Sequence, residues 1–177
     1  WVNSLVDRIV SEPLEPAGAV AEPYALWAVQ AGPGVALPCD HPSVRLVPDL
    51  EEIERLKLHI LNLGHTVLAD RWRESGADPA RLVRQMMEGP DRAALDRIYA
   101  DEVLPGFAAR GRGAEARAYL AVTLDRFANP FLDHRLADIA QNHPEKIARR
   151  IGAFLDWVGA DGPAMPELSA IARKAAS

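Results

Sequence analysis

The ten residues from Lys57 to Thr66, KLHILNLGHT, decide how the chain is read. They lie in a run of helical periodicity that opens at Asp49, where Asp49 and Glu52 have the spacing of a capping box, and continues to about Glu74 before Gly76. On a regular helix each residue turns by about 100°. With Lys57 at zero, Asn62 falls near ~140° and His65 near ~80°, inside one arc that also holds Leu58 and Leu61. A polar trio sharing its face with apolar residues suits a helix that lines a partly dry cleft. Lys, Asn and His can between them take a hydroxyl proton, steady a developing alkoxide and orient the reacting group. A solvated Lys, a helix-interior Asn and a satisfied His is the plainer reading of the same spacing.

The spacing also sets a geometric demand. A rise of about 1.5 Å per residue separates Lys57 from Asn62 by about 7.5 Å and from His65 by about 12 Å along the axis. Convergence on one oxygen then needs a stretched lysine stem, an irregular helix near Gly64, or a substrate with several oxygens. A lysine acting as base also needs its neutral form favoured by burial, which Leu56, Ile60 and Leu61 offer.

Outward from this helix the chain divides in two. Residues 1–48 are punctuated by Pro13, Pro16, Pro23, Pro33, Pro38 and Pro42, with strand-like runs at Tyr24 to Val29 and Val44 to Val47. Residues 49–177 are helical in pattern. After the first helix, Asp78 with Pro79 opens a second to about Glu88, and Asp91 a third to about Glu102 before Pro105. Ala114 to Phe127 is a fourth, stopped by Asn129-Pro130; His134 to Gln141, Pro144 to Val158 and Pro166 to Ala175 follow. The expectation is a mainly α domain of about six or seven helices with a small β element near its start.

Composition narrows the function classes. The 177 residues are 49% hydrophobic and 25% charged, enough for one packed domain. Scattered Lys and Arg with a net charge of −5 argue against a nucleic-acid surface. No apolar run reaches the roughly 20 residues of a membrane span, and one cysteine, Cys39, fits a reducing cytoplasmic compartment. The acidic run Asp49, Glu51, Glu52, Glu54 reads as helix capping. His59 and His65 are six apart, not the four of a helical zinc pair, so no metal is expected. Gly111-Arg-Gly113 lacks a third glycine and reads as a turn between helices, which leaves no dinucleotide phosphate loop and no cofactor-binding residue in the chain.

The Lys57-x4-Asn62-x2-His65 helix resembles that of the mannitol dehydrogenase family, the zinc-independent polyol and sugar-acid dehydrogenases. Three further blocks carry the resemblance in order: Ser4-Leu-Val-Asp-Arg-Ile-Val10, Glu22-Pro-Tyr-Ala-Leu-Trp-Ala-Val29, and Arg126-Phe-Ala-Asn-Pro-Phe-Leu-Asp-His-Arg135 with Ile139-Ala140 and Lys146. The resemblance implies a C-terminal domain like those of the 6-phosphogluconate dehydrogenase superfamily. It further implies Lys57 as general acid/base, with Asn62 and His65 at the reacting oxygen and Asp7 nearby to accept from a substrate hydroxyl or hold the lysine. His134, Arg135 and Lys146 are candidates for the far end of the substrate. NAD or NADP would be held mainly by an N-terminal Rossmann domain missing from this chain, which starts at Trp1. The substrate would be a polyol or a keto sugar acid, the blocks resembling the tagaturonate reductase (altronate oxidoreductase) branch most. Two other readings stay open: a helical domain of a hydroxyacid or hydroxyacyl dehydrogenase, and a noncatalytic helical interaction domain.

Overall fold

Proline-punctuated sequence cannot sustain helices, and the first 48 residues accordingly fold as short strands. The computed structural model describes residues 1–176; Ser177 lies outside them. The strands are β1 (Ser4–Asp7), β2 (Val10–Leu14), β3 (Gly18–Ala21), β4 (Leu26–Gln30) and β5 (Val44–Val47). β4 is central, antiparallel to β1 with Asp7 opposite Leu26, and parallel to β5. β2 and β3 form a separate hairpin. Only β4 and β5 were expected. β1 and β2 carry exposed apolar residues at Val6, Val10 and Leu14, and β3 is only Gly18-Ala-Val-Ala21, so no alternation of buried and polar positions marks these strands in the sequence.

The helices are α1 (residues 50–74), α2 (89–109), α3 (Gly113–Phe127), α4 (Leu136–Ile139), α5 (143–158) and α6 (Pro166–Ala176). α1, α2 and α5 each contain one wide π turn, at Lys57–Asn62, Tyr99–Val103 and Ala148–Gly152. Several boundaries differ from expectation. Asp49 does cap α1, accepting from the Glu51 backbone N–H at 2.9 Å, but Glu52 bonds Arg112 instead of closing a capping box. Residues 79–88 form no α-helix. Asp78 accepts from Ala80 N–H at 3.0 Å to make a turn, followed by a 3₁₀ turn at Val83–Met86. α2 begins at Gly89, with Asp91 bonded to Arg71 Nε at 2.9 Å, and runs through Pro105 to Ala109. A proline removes one helical N–H, and the π turn just before it relaxes the ladder where that bond is lost. The helix expected from His134 to Gln141 is only the single turn of α4.

α1 is the axis of the core: every residue from Leu63 to Asp70 is buried. Its π turn is fixed from α2, where the buried Tyr99 hydroxyl donates to the Ile60 carbonyl at 2.7 Å. Gly64 makes room for that ring, since a Cβ there would collide with Tyr99 Oη. At the far end, buried Glu102 accepts from the Glu167 and Leu168 backbone N–H groups at 2.7 and 2.9 Å and so caps α6 on α2. Met86, Met87 and Phe154 pack in the same core.

Candidate active site

The helix that carries Lys57, Asn62 and His65 is irregular, with a π turn over Lys57–Asn62. Bonding in a π turn runs from residue i to i+5, as the Leu63 N–H to Leu58 carbonyl bond does here. Residues five apart, such as Lys57 and Asn62, are thereby brought closer to one side than a regular helix allows.

Lys57 meets the small sheet. Its Nζ donates to the Val6 carbonyl at 2.6 Å and lies 4.0 Å from Asp7 Oδ1. Asp7 is fully buried and is held by two α3 side chains. Tyr119 Oη donates to Oδ2 at 2.6 Å, and the Arg126 guanidinium donates to Oδ1 at 2.9 Å and to Oδ2 at 3.1 Å. Arg126 also spans Glu22, with Nη2 to Oε1 at 2.7 Å and Nε to Oε2 at 3.0 Å, while the Tyr24 ring lies 4.2 Å from its centre. Burial opposes the guanidinium's charge, but the two carboxylates overcome this and raise its pKa. Asp7 is thus an oriented neighbour of Lys57, with its oxygens already engaged.

His65 lies one turn beyond Asn62. Its ring stacks on Phe127 at 4.3 Å between centroids and meets the edge of His134 at 4.8 Å. Its Nε2 is buried with no protein partner. Burial pushes its pKa well below the ordinary histidine value, with His134, Arg150, Arg126 and Lys146 adding to the effect. His134 is pushed down to about 4, mainly by burial. Burial thus favours the neutral form of both rings, and His65 Nε2 is a buried nitrogen left without a protein partner.

Asn62 and Lys146 line one cleft of about 220 Å³ together with Leu58, Asn142, Glu145, Arg149 and Arg150. Lys146 Nζ donates to the Ile139 carbonyl at 2.7 Å. Arg135 is exposed at the start of α4, where its backbone forms an isolated antiparallel bridge with Leu82. The structure thus groups Lys57 with Asp7, His65 with His134, and Asn62 with Lys146, leaving Arg135 outside these contacts.

Arg150 was missed by sequence reasoning. Its Nη1 donates to the Asn62 carbonyl at 3.3 Å and to Thr66 Oγ1 at 3.0 Å, tying α5 to the π turn. Ion pairs such as Arg126–Glu22, between residues 104 apart in sequence, leave no local pattern to read. The only available signal was that both residues fall in the quoted blocks. The turn at Gly111 to Gly113 joins α2 to α3, and Arg112 within it pairs with Glu52 and Glu115, so this glycine pair does not fit a dinucleotide phosphate. Among the described residues no group of three or more His, Cys, Asp or Glu side chains is placed to hold a metal, and no helix is long and apolar enough to cross a membrane.

Known proteins resemble the chain in sequence and in fold. The family of the mannitol dehydrogenase C-terminal domain matches residues 49–171. Altronate oxidoreductase of Halalkalibacterium halodurans is 31% identical over 93% of this chain and 35% of its own length. D-mannonate oxidoreductase of Escherichia coli is 26% identical over 77% of this chain and 28% of its own. The chain therefore spans about a third of the length of the curated relatives it matches. Among solved structures, mannitol 2-dehydrogenase of Pseudomonas fluorescens, in ternary complex with NAD and D-mannitol, superposes with a TM-score of 0.74 at 19% identity, covering 96% of this chain and 37% of that one. A D-sorbitol dehydrogenase gives a TM-score of 0.66 over 86% of this chain and 34% of that one. The family match covers well over half of the chain, and the helix bearing Lys57, Asn62 and His65 lies inside it: the chain belongs to the mannitol dehydrogenase C-terminal domain family.

Proposed function

We propose that residues 49–177 are the substrate-binding and proton-transferring domain of an NAD(P)-dependent oxidoreductase that interconverts a polyol or sugar acid with its keto form. Residues 1–48 are its bracing sheet, and the cofactor domain belongs to a longer protein. The observation that carries this reading is Lys57 beside buried Asp7 at the start of the π turn of α1, with an unpartnered His65 nitrogen one turn beyond the end of that turn. The nicotinamide supplies the hydride chemistry when bound.

The chain's own residues handle the oxygen. In the direction of oxidation, the Lys57 amine accepts the proton of the reacting hydroxyl as the carbon loses hydride, and in reduction the ammonium returns it. The Asn62 side-chain amide donates to the developing alkoxide, and His65 Nε2 bonds the same or a neighbouring hydroxyl. Asp7 and the Val6 carbonyl hold the lysine, and the Arg126 ion pairs keep Asp7 in place. In this scheme the proton step runs through the lysine and needs no metal-bound water. The altronate and mannonate oxidoreductases among the relatives favour a hexuronic-acid substrate.

The test uses the full-length protein, following NADH absorbance with tagaturonate, fructuronate, fructose and the corresponding alcohols, in wild type and Lys57→Ala. Activity on a member of this set, lowered by about 10²-fold or more in the variant, is expected for a lost general acid/base. Activity indifferent to Lys57, or none on any substrate, would contradict the proposal.

A further inference from the structure

The cleft beside Asn62 holds a charge imbalance that the protein itself does not resolve. Lys146, Arg149 and Arg150 line it against one carboxylate, Glu145, in a chain whose net charge is −5. Among the described residues none of these three cations forms a salt bridge, whereas Arg112 and Arg126 each pair with two carboxylates. Arg150 is half-buried and engages only Nη1, leaving Nε and Nη2 without a protein partner. Lys146 spends one of its three donors on the Ile139 carbonyl. Surface cations need no partner, but a partly buried guanidinium that lines a cleft with donors to spare is suited to meet an anion.

Building on the function proposed above, we infer that this cleft is a carboxylate subsite, with Arg150 and Lys146 binding the acid group of an open-chain sugar acid whose carbonyl lies at Lys57, Asn62 and His65. Arg150 ties the two ends together, because the same side chain that lines the cleft also braces the Asn62 carbonyl. The planar fork of a guanidinium matches both oxygens of a carboxylate, and the Lys146 ammonium adds a point charge. Burial, with the Arg150 charge adding and Glu145 opposing, pushes the pKa of Lys146 down, a cost that a bound anion relieves. The chemistry selected is that of a keto-uronate over a neutral ketose of equal length.

The experiment compares kcat/KM for tagaturonate and for fructose in the full-length protein, in wild type, Arg150→Gln and Lys146→Gln. The expected result is a fall in the acid-to-ketose ratio of about 30-fold or more in Arg150→Gln, and a smaller fall in Lys146→Gln, as for loss of a charge-assisted contact. Equal losses on both substrates would reduce Arg150 to a brace for Asn62 and overturn the inference. So would a loss confined to the KM of the dinucleotide, which would assign the cations to a cofactor phosphate. Calorimetric binding of the two substrates separates this inference from the reading it builds on. A preference for the acid that disappears in Arg150→Gln, with no turnover of either compound, would refute the oxidoreductase and retain the subsite. No preference in wild type would refute the subsite whatever the turnover.

Discussion

At the scale of the residue, the domain is built around histidines that it keeps neutral. His59 shows the cost most plainly. Its Nδ1 lies 3.0 Å from the Arg150 carbonyl, and its ring packs against Phe154 and stacks with Trp157. Burial, with Arg55 adding and the backbone contact opposing, pushes its pKa down from 6.5 to about 4. The unfolded chain takes up this proton near pH 6.5, and the folded chain only near pH 4. Across that window the unfolded state binds more protons, so stability is complete above the upper value and falls as the pH drops towards the lower one. The loss for this ring is of order 1–3 kcal/mol. Urea unfolding of the chain between pH 7 and pH 4 should show it, and His59→Phe should flatten the pH dependence by about that amount. An unchanged slope in the variant would mean that the ring titrates normally in the fold. None of this was visible in the sequence, where His59 differed from His65 only in its place on the helix.

At the scale of the element, α1 was legible and its irregularity was not. Apolar periodicity, the Asp49 cap and the stop near Gly76 mark its ends well, because each is a local property. The π turn depends on a partner from outside the helix. Tyr99, 39 residues further along, takes the Ile60 carbonyl, and Gly64 admits the ring. Gly64→Ala should destabilise the fold by about 2 kcal/mol or more, since the new methyl group meets buried Tyr99 and Phe127. The effect should shrink when Tyr99→Phe is added, because the obstructing hydroxyl is then gone. Thermal melts of the two single variants and the double variant check this. Strictly additive losses would show that the hydroxyl and the glycine are independent. The segment from 79 to 88 failed for the opposite reason: its Asp-Pro start signal is local and correct for a turn, but no helix packs there, and Leu82 instead bridges to Arg135.

At the scale of the whole molecule, the small sheet and the helices meet through charge. Arg126 binds Asp7 at the end of β1 and Glu22 between β3 and β4, and Lys57 reaches Val6 and Asp7 from α1. Removing one member of such a buried group strands the others, so the network fixes where the lysine stands more than it adds net stability. The four sequence blocks are the pieces this network joins: three carry the ion-paired side chains, and the fourth carries the lysine. That explains why the site could be suspected from order along the chain while its contacts could not. On the proposed reading the cofactor domain belongs to a longer protein, so catalysis is tested there. The most direct measurement is chemical rescue of Lys57→Ala in the full-length protein by small primary amines, read as the rate of NADH formation against the pKa of each amine. If the lysine moves the proton, ethylamine and its analogues will restore part of the lost rate, with a Brønsted dependence on amine basicity. A variant that keeps its rate without amine would contradict the account, and so would a lost rate that no amine restores although the protein is folded and binds substrate.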